Sequence, residues 1–182
     1  SAAFYMSGML AGRAGHFGFV ANAAMASVDQ AVIRIVGKGG HGVEPPRGVD
    51  PVLASASLIT ALQSVVSRNV DPQEMAVVTV GSIHGGSASN VIPESVELKL
   101  TMRAYSESVR ERLETRIPAL ARAQAESFGA TAEVDYRRGF PALINHPDGT
   151  AFAKSVALKA FDMSLTEADF RTRRARQVLA LI

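Results

Sequence analysis

The sequence predicts an α+β protein with a ferredoxin-like βαββαβ sandwich. Four segments alternate apolar and polar residues with a period of two, as half-buried strands do, and two further segments carry helix-capping residues. Their order along the chain is strand, helix, strand, strand, helix, strand. With right-handed crossovers, this order gives a four-stranded antiparallel sheet with both helices on one face.

The strands are predicted from this alternation. The clearest is Val96 to Arg103, in which apolar residues at even positions alternate with polar residues at odd positions. Arg103 is therefore expected on the polar face of a half-buried strand. Three other segments behave similarly: Ala31 to Val36, Met75 to Ile83 and Thr131 to Arg137.

The helices are predicted from their ends. The first runs from Pro51 to about Arg68, because Asp50 is a favourable N-cap and proline is favoured at the first helical position. The second runs from about Ser106 to Phe128 and ends at Gly129, with a kink expected at Pro118. Apolar residues near helical spacing form its expected buried stripe: Val109, Leu113, Ile117, Leu120 and Phe128.

The first helix and the strand after it lack charge. Residues 51–67 contain no charged side chain, although a helix on a sheet needs only one apolar stripe. The uncharged strand Ala76 to Ile83 is expected at an edge of the sheet, where an unpaired β-branched strand promotes aggregation. We therefore expect a two-fold homodimer formed through the helix Val52 to Val66 and this edge strand. The alternative is that flanking segments of the same chain cover both surfaces.

The composition excludes several classes of protein. The 182 residues include four histidines and no cysteine, which excludes disulfide scaffolds and cysteine-ligated metal sites. No apolar run approaches the roughly 18 residues of a membrane span, and we expect a cytoplasmic protein. The net charge of +2 arises from four arginines within residues 171–182. Because Tyr136 is the one aromatic side chain expected on the strands, recognition of RNA or other nucleic acid is disfavoured.

Two glycine-rich loops contain the candidate site residues. His41 lies in the turn that follows the first strand, but this turn lacks the G-x-x-x-x-G-K-[ST] pattern of a phosphate loop. The second loop contains Asn90 and leads into the strand of Arg103, so we expect Asn90 and Arg103 to lie near one another. An amide and a guanidinium on an open sheet face suit a carboxylate. From the residues alone, the alternative is that His41 has no function, as is true of most loop histidines.

Several motifs together resemble a known family. The lid, or dimerisation, domain of metal-dependent amidohydrolases has similar motifs in the same order; the family includes aminoacylases, hippurate hydrolases, indole-acetyl-amino-acid hydrolases and glutamate carboxypeptidases. Segments 17–29 and 140–145 resemble the entry into that lid and the return from it. The matching motifs are Gly37 to Gly42 with Pro45, Val49 to Pro51, Ala61 to Arg68, Asp71-Pro72, Asn90 to Pro93, and Arg103.

The resemblance implies a function for the loops. It implies a lid inserted in a catalytic domain that holds two metal ions, usually zinc, with lids paired across a two-fold axis. His41 would reach into the partner's active site and stabilise the oxyanion, while Asn90 and Arg103 would bind the carboxylate of an N-acyl amino acid. Residues 1–28 would be a remnant of the catalytic domain, 29–138 the lid, and 139–182 a truncated return with an arginine-rich tail.

The chain departs from the family at both ends. The resemblance places Ser7 at the position of a metal ligand, where a hydroxyl is a poor substitute for imidazole, and leaves His16 structural. Residues Glu167 to Phe170 match the closing Glu-Asp-Phe motif imperfectly and too early, which is compatible with a truncated, rearranged or altered reading of the gene. We expect no metal site and no activity in this chain alone. The alternative is a free-standing ferredoxin-like homodimer that binds a small carboxylate without catalysis.

Overall fold

The computed structural model describes residues 19–161, with side chains described as far as residue 156. The expectations for Ser7, His16 and the segment 162–182 lie outside this range. The elements in chain order are β1 (Asn22–Met25), β2 (Asp29–Val36), β3 (Gly40–His41), a 3₁₀ turn (Pro45–Arg47), α1 (Pro51–Asn69), β4 (Ala76–His84), β5 (Val91–Ile92), β6 (Ser95–Ala104), α2 (Glu107–Ser127), β7 (Thr131–Arg138), β8 (Leu143–Asn145) and α3 (Pro147–Phe161).

The main sheet confirms the predicted ferredoxin-like topology. Its four antiparallel strands lie in the order β4-β6-β2-β7, so β4 occupies an edge as expected. Ile33 of β2 lies opposite Leu98 of β6 on one side and Val134 of β7 on the other. β3 and β5 form a separate two-stranded ladder. Each of these strands has only two residues, too few for an alternation of apolar and polar residues to be recognised in the sequence.

Both helices pack on one face of the sheet and enclose its core. The odd residues of β2 and the even residues of β6 face the helices, as the alternation predicts. The polar residues of β6, including Arg103, lie on the opposite, open face. The largest side chains of the core are contributed by all of these elements: Ile33, Ile35, Leu58, Leu62, Leu98, Met102, Leu113 and Ile117.

The helix ends confirm the predicted caps. The Asp50 carboxylate accepts hydrogen bonds from the backbone N–H groups of Val52 (2.8 Å) and Leu53 (3.2 Å) at the start of α1. Ser106 caps α2 by accepting from the N–H of Val109, and Gly129 follows the helix with a positive φ of 73°.

One part of the predicted α2 stripe is wrong. Phe128 is exposed rather than buried, because it lies at the C-cap, where the chain leaves the helix. The stripe continues instead through the small residues Ala121 and Ala125, which allow α2 to approach the core closely. The assigned helix is continuous through Pro118.

The chain divides into two compact units. The larger unit comprises Met25–Ala142 and is called the lid below, as a label for these residues. The described residues of the other unit are 19–24 and 143–161, which include most of the two-stranded ladder of β1 and β8 and all of α3. α3 spans Pro147–Phe161 and has Asp148 in its first turn. No helix within residues 19–161 is long and apolar enough to cross a membrane.

Candidate active-site residues of the lid

The loop of His41 is fixed by backbone contacts. β3 pairs with β5 so that His41 lies opposite Val91, and this ladder follows directly on that of β2 with β6. The backbones of Lys38 and Val49 hydrogen-bond to each other in both directions, at 2.9 and 3.0 Å. Glycine is required at position 37, because a Cβ there would lie 2.2 Å from the Val49 carbonyl oxygen. The loop is therefore a turn held by backbone hydrogen bonds rather than an irregular connection.

The side chain of His41 is exposed and held by one local contact. Its Nδ1 accepts a hydrogen bond from the backbone N–H of Val43 at 3.3 Å. A neutral imidazole that accepts at Nδ1 carries its proton on Nε2. His41 in this arrangement can donate a hydrogen bond from Nε2 to an external acceptor.

Asn90 lies beside the loop of His41. Its backbone carbonyl accepts a hydrogen bond from the N–H of Gly42 at 2.8 Å. A Cβ at Gly42 would come within 3.2 Å of the Asn90 carbonyl group, so the two chain segments are in close approach. The fold therefore brings His41 and Asn90 together at one end of the main sheet.

Arg103 lies at the other end of the sheet, which contradicts the expectation that it is near Asn90 in one chain. Asn90 precedes the first residue of β6, whereas Arg103 is the ninth residue of that strand and lies opposite Val77 of β4. The eight steps from Ser95 to Arg103 along the strand span about 26 Å at the rise of an extended strand. The expectation was wrong because a straight strand keeps its two ends apart.

The Arg103 side chain is half-buried on the open face of the sheet. Its Nη1 is inaccessible to solvent and has no hydrogen-bond partner within the part of the chain that the structure describes. An unpaired buried guanidinium nitrogen is costly, and a carboxylate is the partner that satisfies it best.

The main polar cluster of the lid was not predicted from the sequence. Asp29 and Arg110 form a buried bidentate ion pair, with Nε to Oδ2 at 2.9 Å and Nη2 to Oδ1 at 2.6 Å. Tyr136 donates its hydroxyl hydrogen to Asp29 at 3.2 Å, and the N–H of Gly139 donates to it at 3.0 Å. The sequence did contain a sign of this cluster, because Asp29 lies at an odd-numbered position of β2, as do the buried residues Ala31 and Ile33.

The cluster fixes the protonation of its members. Burial by itself would raise the pKa of the Asp29 carboxyl, but the hydrogen bonds from Arg110 and Gly139 hold it below its ordinary value. Burial and the negative charge of Asp29 raise the pKa of the Tyr136 phenol. Asp29 is therefore ionised and Tyr136 neutral at physiological pH.

The cluster also ties together the two ends of the lid. The backbone N–H of Val28, next to Asp29, donates to the carbonyl of Phe140 at 2.8 Å. Gly139 is required between them, since a Cβ there would lie 2.3 Å from the Val28 carbonyl oxygen. The chain therefore enters and leaves the lid at one clamped point.

The described residues do not form a metal centre. Within residues 19–161, no three His, Asp or Glu side chains are grouped so that they could hold a metal ion. A catalytic zinc ion needs about three such protein ligands.

Comparisons with known proteins agree with this fold. Residues 24–128 match the family model described as "Peptidase dimerisation domain". The chain is 38% identical over 146 residues to N-acetyl-L-cysteine deacetylase of Bacillus subtilis, covering 80% of this chain and 35% of that protein. It is 36% identical over 155 residues to hippurate hydrolase of Campylobacter jejuni, covering 85% of this chain and 40% of the relative. The chain thus spans about two fifths or less of the length of these curated relatives.

A solved structure supports the same assignment. The Bacillus subtilis YXEP protein, described as a dinuclear metal binding peptidase from the M20 family, superposes with a TM-score of 0.61 at 27% sequence identity. The match covers 78% of this chain and 34% of that protein. With the family match over more than half of its residues, the chain belongs to the peptidase dimerisation domain family of the M20 peptidases and amidohydrolases.

Proposed function

We propose that this chain supplies the dimerising lid of a metal-dependent amidohydrolase that hydrolyses N-acyl amino acids of the hippurate class. The observation that carries the proposal is the hydrogen-bonded turn that brings His41 and Asn90 together, in a chain related to hippurate hydrolase and N-acetyl-L-cysteine deacetylase. Both names refer to an amino acid acylated on its nitrogen. Such a substrate presents an amide carbonyl at one end and a free carboxylate at the other.

The dimer is proposed to form through α1 and β4. β4 is an uncharged edge strand, whereas the opposite edge, β7, contains Glu133, Asp135, Arg137 and Arg138. Leu53 of α1 is 56% exposed although the helix has no charge before Arg68. The exposed positions before Arg68 form one uncharged stripe along α1: Val52, Leu53, Ala56, Thr60, Gln63 and Ser67.

Edge-to-edge pairing would assemble the site from two subunits. Two β4 strands related by a two-fold axis perpendicular to the sheet run antiparallel, so one end of each sheet lies beside the opposite end of the other. This arrangement brings His41 and Asn90 of one subunit to the same end of the joined sheet as the partner subunit's Arg103. It removes the separation of about 26 Å that a single strand imposes.

Each residue then has a chemical role. His41 donates from Nε2 to the oxygen of the scissile carbonyl, where negative charge develops as the amide is attacked. Arg103 offers a planar pair of N–H donors to the substrate carboxylate, assisted by the Asn90 amide of the other subunit. The whole enzyme is proposed to use two divalent metals, zinc being expected, outside the described residues; they would supply the attacking hydroxide. The expected cytoplasmic location stays a prediction.

Mixed dimers test the proposal. Residues 25–142 are placed in the Campylobacter jejuni hippurate hydrolase in exchange for its matching segment, and His41→Ala and Arg103→Ala versions of this chimera are compared. Each variant alone should lose at least 100-fold in the rate of hippurate hydrolysis, in line with the loss of an oxyanion donor. Coexpression should restore about a quarter of the activity, because half of the dimers are mixed and each has one intact site.

Other outcomes favour other functions. Mixed dimers without activity, formed from variants that are each inactive, would mean that His41 and Arg103 act within one subunit. Full activity of both single variants would contradict their proposed roles. Chimeras that never hydrolyse hippurate while the lid still binds it would favour the non-catalytic carboxylate-binding dimer.

A further inference from the structure

A β-bulge in the edge strand changes the face on which His84 lies. Before the bulge, Val77 lies opposite Arg103 and Thr79 opposite Thr101, so the odd residues of β4 share the open face. The register shifts between Val80 and Ser82, and afterwards His84 lies opposite Glu97. Without this shift, His84 would share the parity of the core residues Val78 and Val80. The bulge therefore turns an imidazole out of the helix-covered face and onto the face of Arg103.

His84 lies at the same end of the sheet as the turn of His41. Glu97, its cross-strand neighbour, is two residues from the start of β6, and His84 is exposed. Within one chain, the six steps along β6 from Glu97 to Arg103 separate His84 from Arg103 by about 20 Å. In the proposed dimer the separation is different. A two-fold axis at Val80, the midpoint of β4, pairs the whole strand and sets His84 two strands, or about 10 Å, from the partner subunit's Arg103.

We propose that His84 is a further substrate-binding residue, which joins the partner subunit's Arg103 in holding the substrate carboxylate. Arginine and histidine side chains extending from the same face, two strands apart, can converge on one anion between them. A carboxylate can accept about four hydrogen bonds, so the imidazole would donate an N–H to one of its oxygens beside the paired donors of the guanidinium and the Asn90 amide. This inference rests on the proposed function, because it needs the edge-to-edge dimer.

Cross-linking tests the juxtaposition in a chain that has no cysteine of its own. A tagged His84→Cys chain is mixed with an untagged Arg103→Cys chain, and the refolded dimers are treated with a bis-maleimide that has a spacer of about 10 Å. The matched control is Glu133→Cys. Glu133 lies at the same height along the strands as His84, because Arg34 of β2 pairs with Glu133 of β7 on one side and with Glu97 of β6 on the other. It is five strand spacings, about 24 Å, from the partner subunit's Arg103. The His84→Cys pair should cross-link at least tenfold more than the Glu133→Cys pair.

Ligand titration tests the role. Hippurate is titrated into the full chain, and binding is followed by the NMR signals of the histidine imidazoles. The His84→Leu chain should bind hippurate at least fivefold more weakly than wild type. The His84→Gln chain keeps an N–H donor and should lose less than twofold, and Arg103→Leu should abolish binding.

The outcomes separate this inference from the proposed function. A monomeric chain, or a wild-type dimer that binds no hippurate, would overturn the proposed function and this inference with it. A dimer that binds hippurate through Arg103 but fails to cross-link, or binds equally well as His84→Leu, would overturn the role of His84 alone. Preferential cross-linking together with weaker binding by His84→Leu would support the assignment.

Discussion

At the scale of single residues, the lid depends on a buried charge that has a complete set of partners. Asp29 is 1% exposed and receives hydrogen bonds from Arg110, Tyr136 and the Gly139 backbone. A buried ion pair contributes little compared with apolar residues, but removing one partner leaves the other charge uncompensated. The pair is therefore more important for fixing the point where the chain enters and leaves the lid than for the total free energy of unfolding.

Substituting Asp29→Asn should lower the free energy of unfolding by about 3–5 kcal/mol, because the buried Arg110 loses its anion. The matched control is Asp135→Asn, which breaks the exposed pair with Arg137 and should cost at most about 1 kcal/mol. Urea denaturation followed by circular dichroism measures both. Equal effects of the two substitutions would contradict the importance of burial.

The Asp29 carboxyl should also make the lid sensitive to acid. Its pKa is lower in the folded state than in the unfolded state, so its contribution to stability is complete above the ordinary value of 3.8. That contribution is lost as the pH falls below 3.8 through the lowered pKa. Unfolding free energies measured between pH 6 and pH 2 should fall less steeply in Asp29→Asn than in wild type. Identical slopes would show that Asp29 is not the titrating group.

Gly37 should be the glycine of the His41 turn that tolerates alanine least. The added Cβ would overlap the Val49 carbonyl oxygen, and overpacking of this kind costs about 1–3 kcal/mol. Gly40→Ala is the control, because its Cβ would meet nothing closer than 3.9 Å. Thermal denaturation should rank Gly37→Ala well below Gly40→Ala, and equal melting temperatures would count against a rigid turn.

At the scale of elements, the two edges of the sheet differ in charge. β7 carries four charged residues, which discourages pairing with another chain, whereas β4 carries none between Ala76 and Ile83. The bulge near Gly81 interrupts the ladder of β4 with β6, yet pairing resumes as far as His84. The edge is therefore long and free of the charges that blunt exposed strands.

Thr79→Lys should shift the chain from dimer to monomer. Thr79 is exposed on the edge strand, and a lysine from each copy would place two like charges together near the two-fold axis. Thr131→Lys, an equally exposed threonine on the opposite edge, should leave the dimer intact. Size-exclusion chromatography with light scattering measures the mass of each variant. A wild-type chain that stays monomeric at high concentration would exclude α1 and β4 as an interface.

Over the molecule as a whole, the described residues include the proposed binding groups, and no three of their His, Asp or Glu side chains are grouped to hold a metal ion. Its relatives are somewhat more than twice its length, and the proposed metals belong to the part of the enzyme outside the lid. The isolated chain should therefore hydrolyse no hippurate, even with added zinc, in a discontinuous assay for released glycine. Turnover that scales with the chain's concentration and disappears in His41→Ala would contradict this.

Local patterns in the sequence were sufficient to predict the architecture. Alternation in the four main strands and the caps at Asp50 and Ser106 were sufficient for the fold, because secondary-structure period and helix termini are local properties. The lack of charge in segment 51–67 and in the strand expected at the edge could also be recognised from the sequence. His41 and Asn90 were singled out by motif, and they lie close together because the Gly42 N–H bonds to the Asn90 carbonyl beside the short ladder of β3 and β5.

Tertiary structure alone decided which distant residues meet. It separated Asn90 from Arg103 along β6, paired Asp29 with Arg110 across 81 positions, and turned His84 outward through one extra residue in β4. Residues that are near one another in the sequence can still lie far apart in space when they are at opposite ends of a straight strand. A bulge cannot be recognised from composition, because it leaves the residue types of its strand unchanged. These contacts depend on register and packing, which only the folded chain fixes.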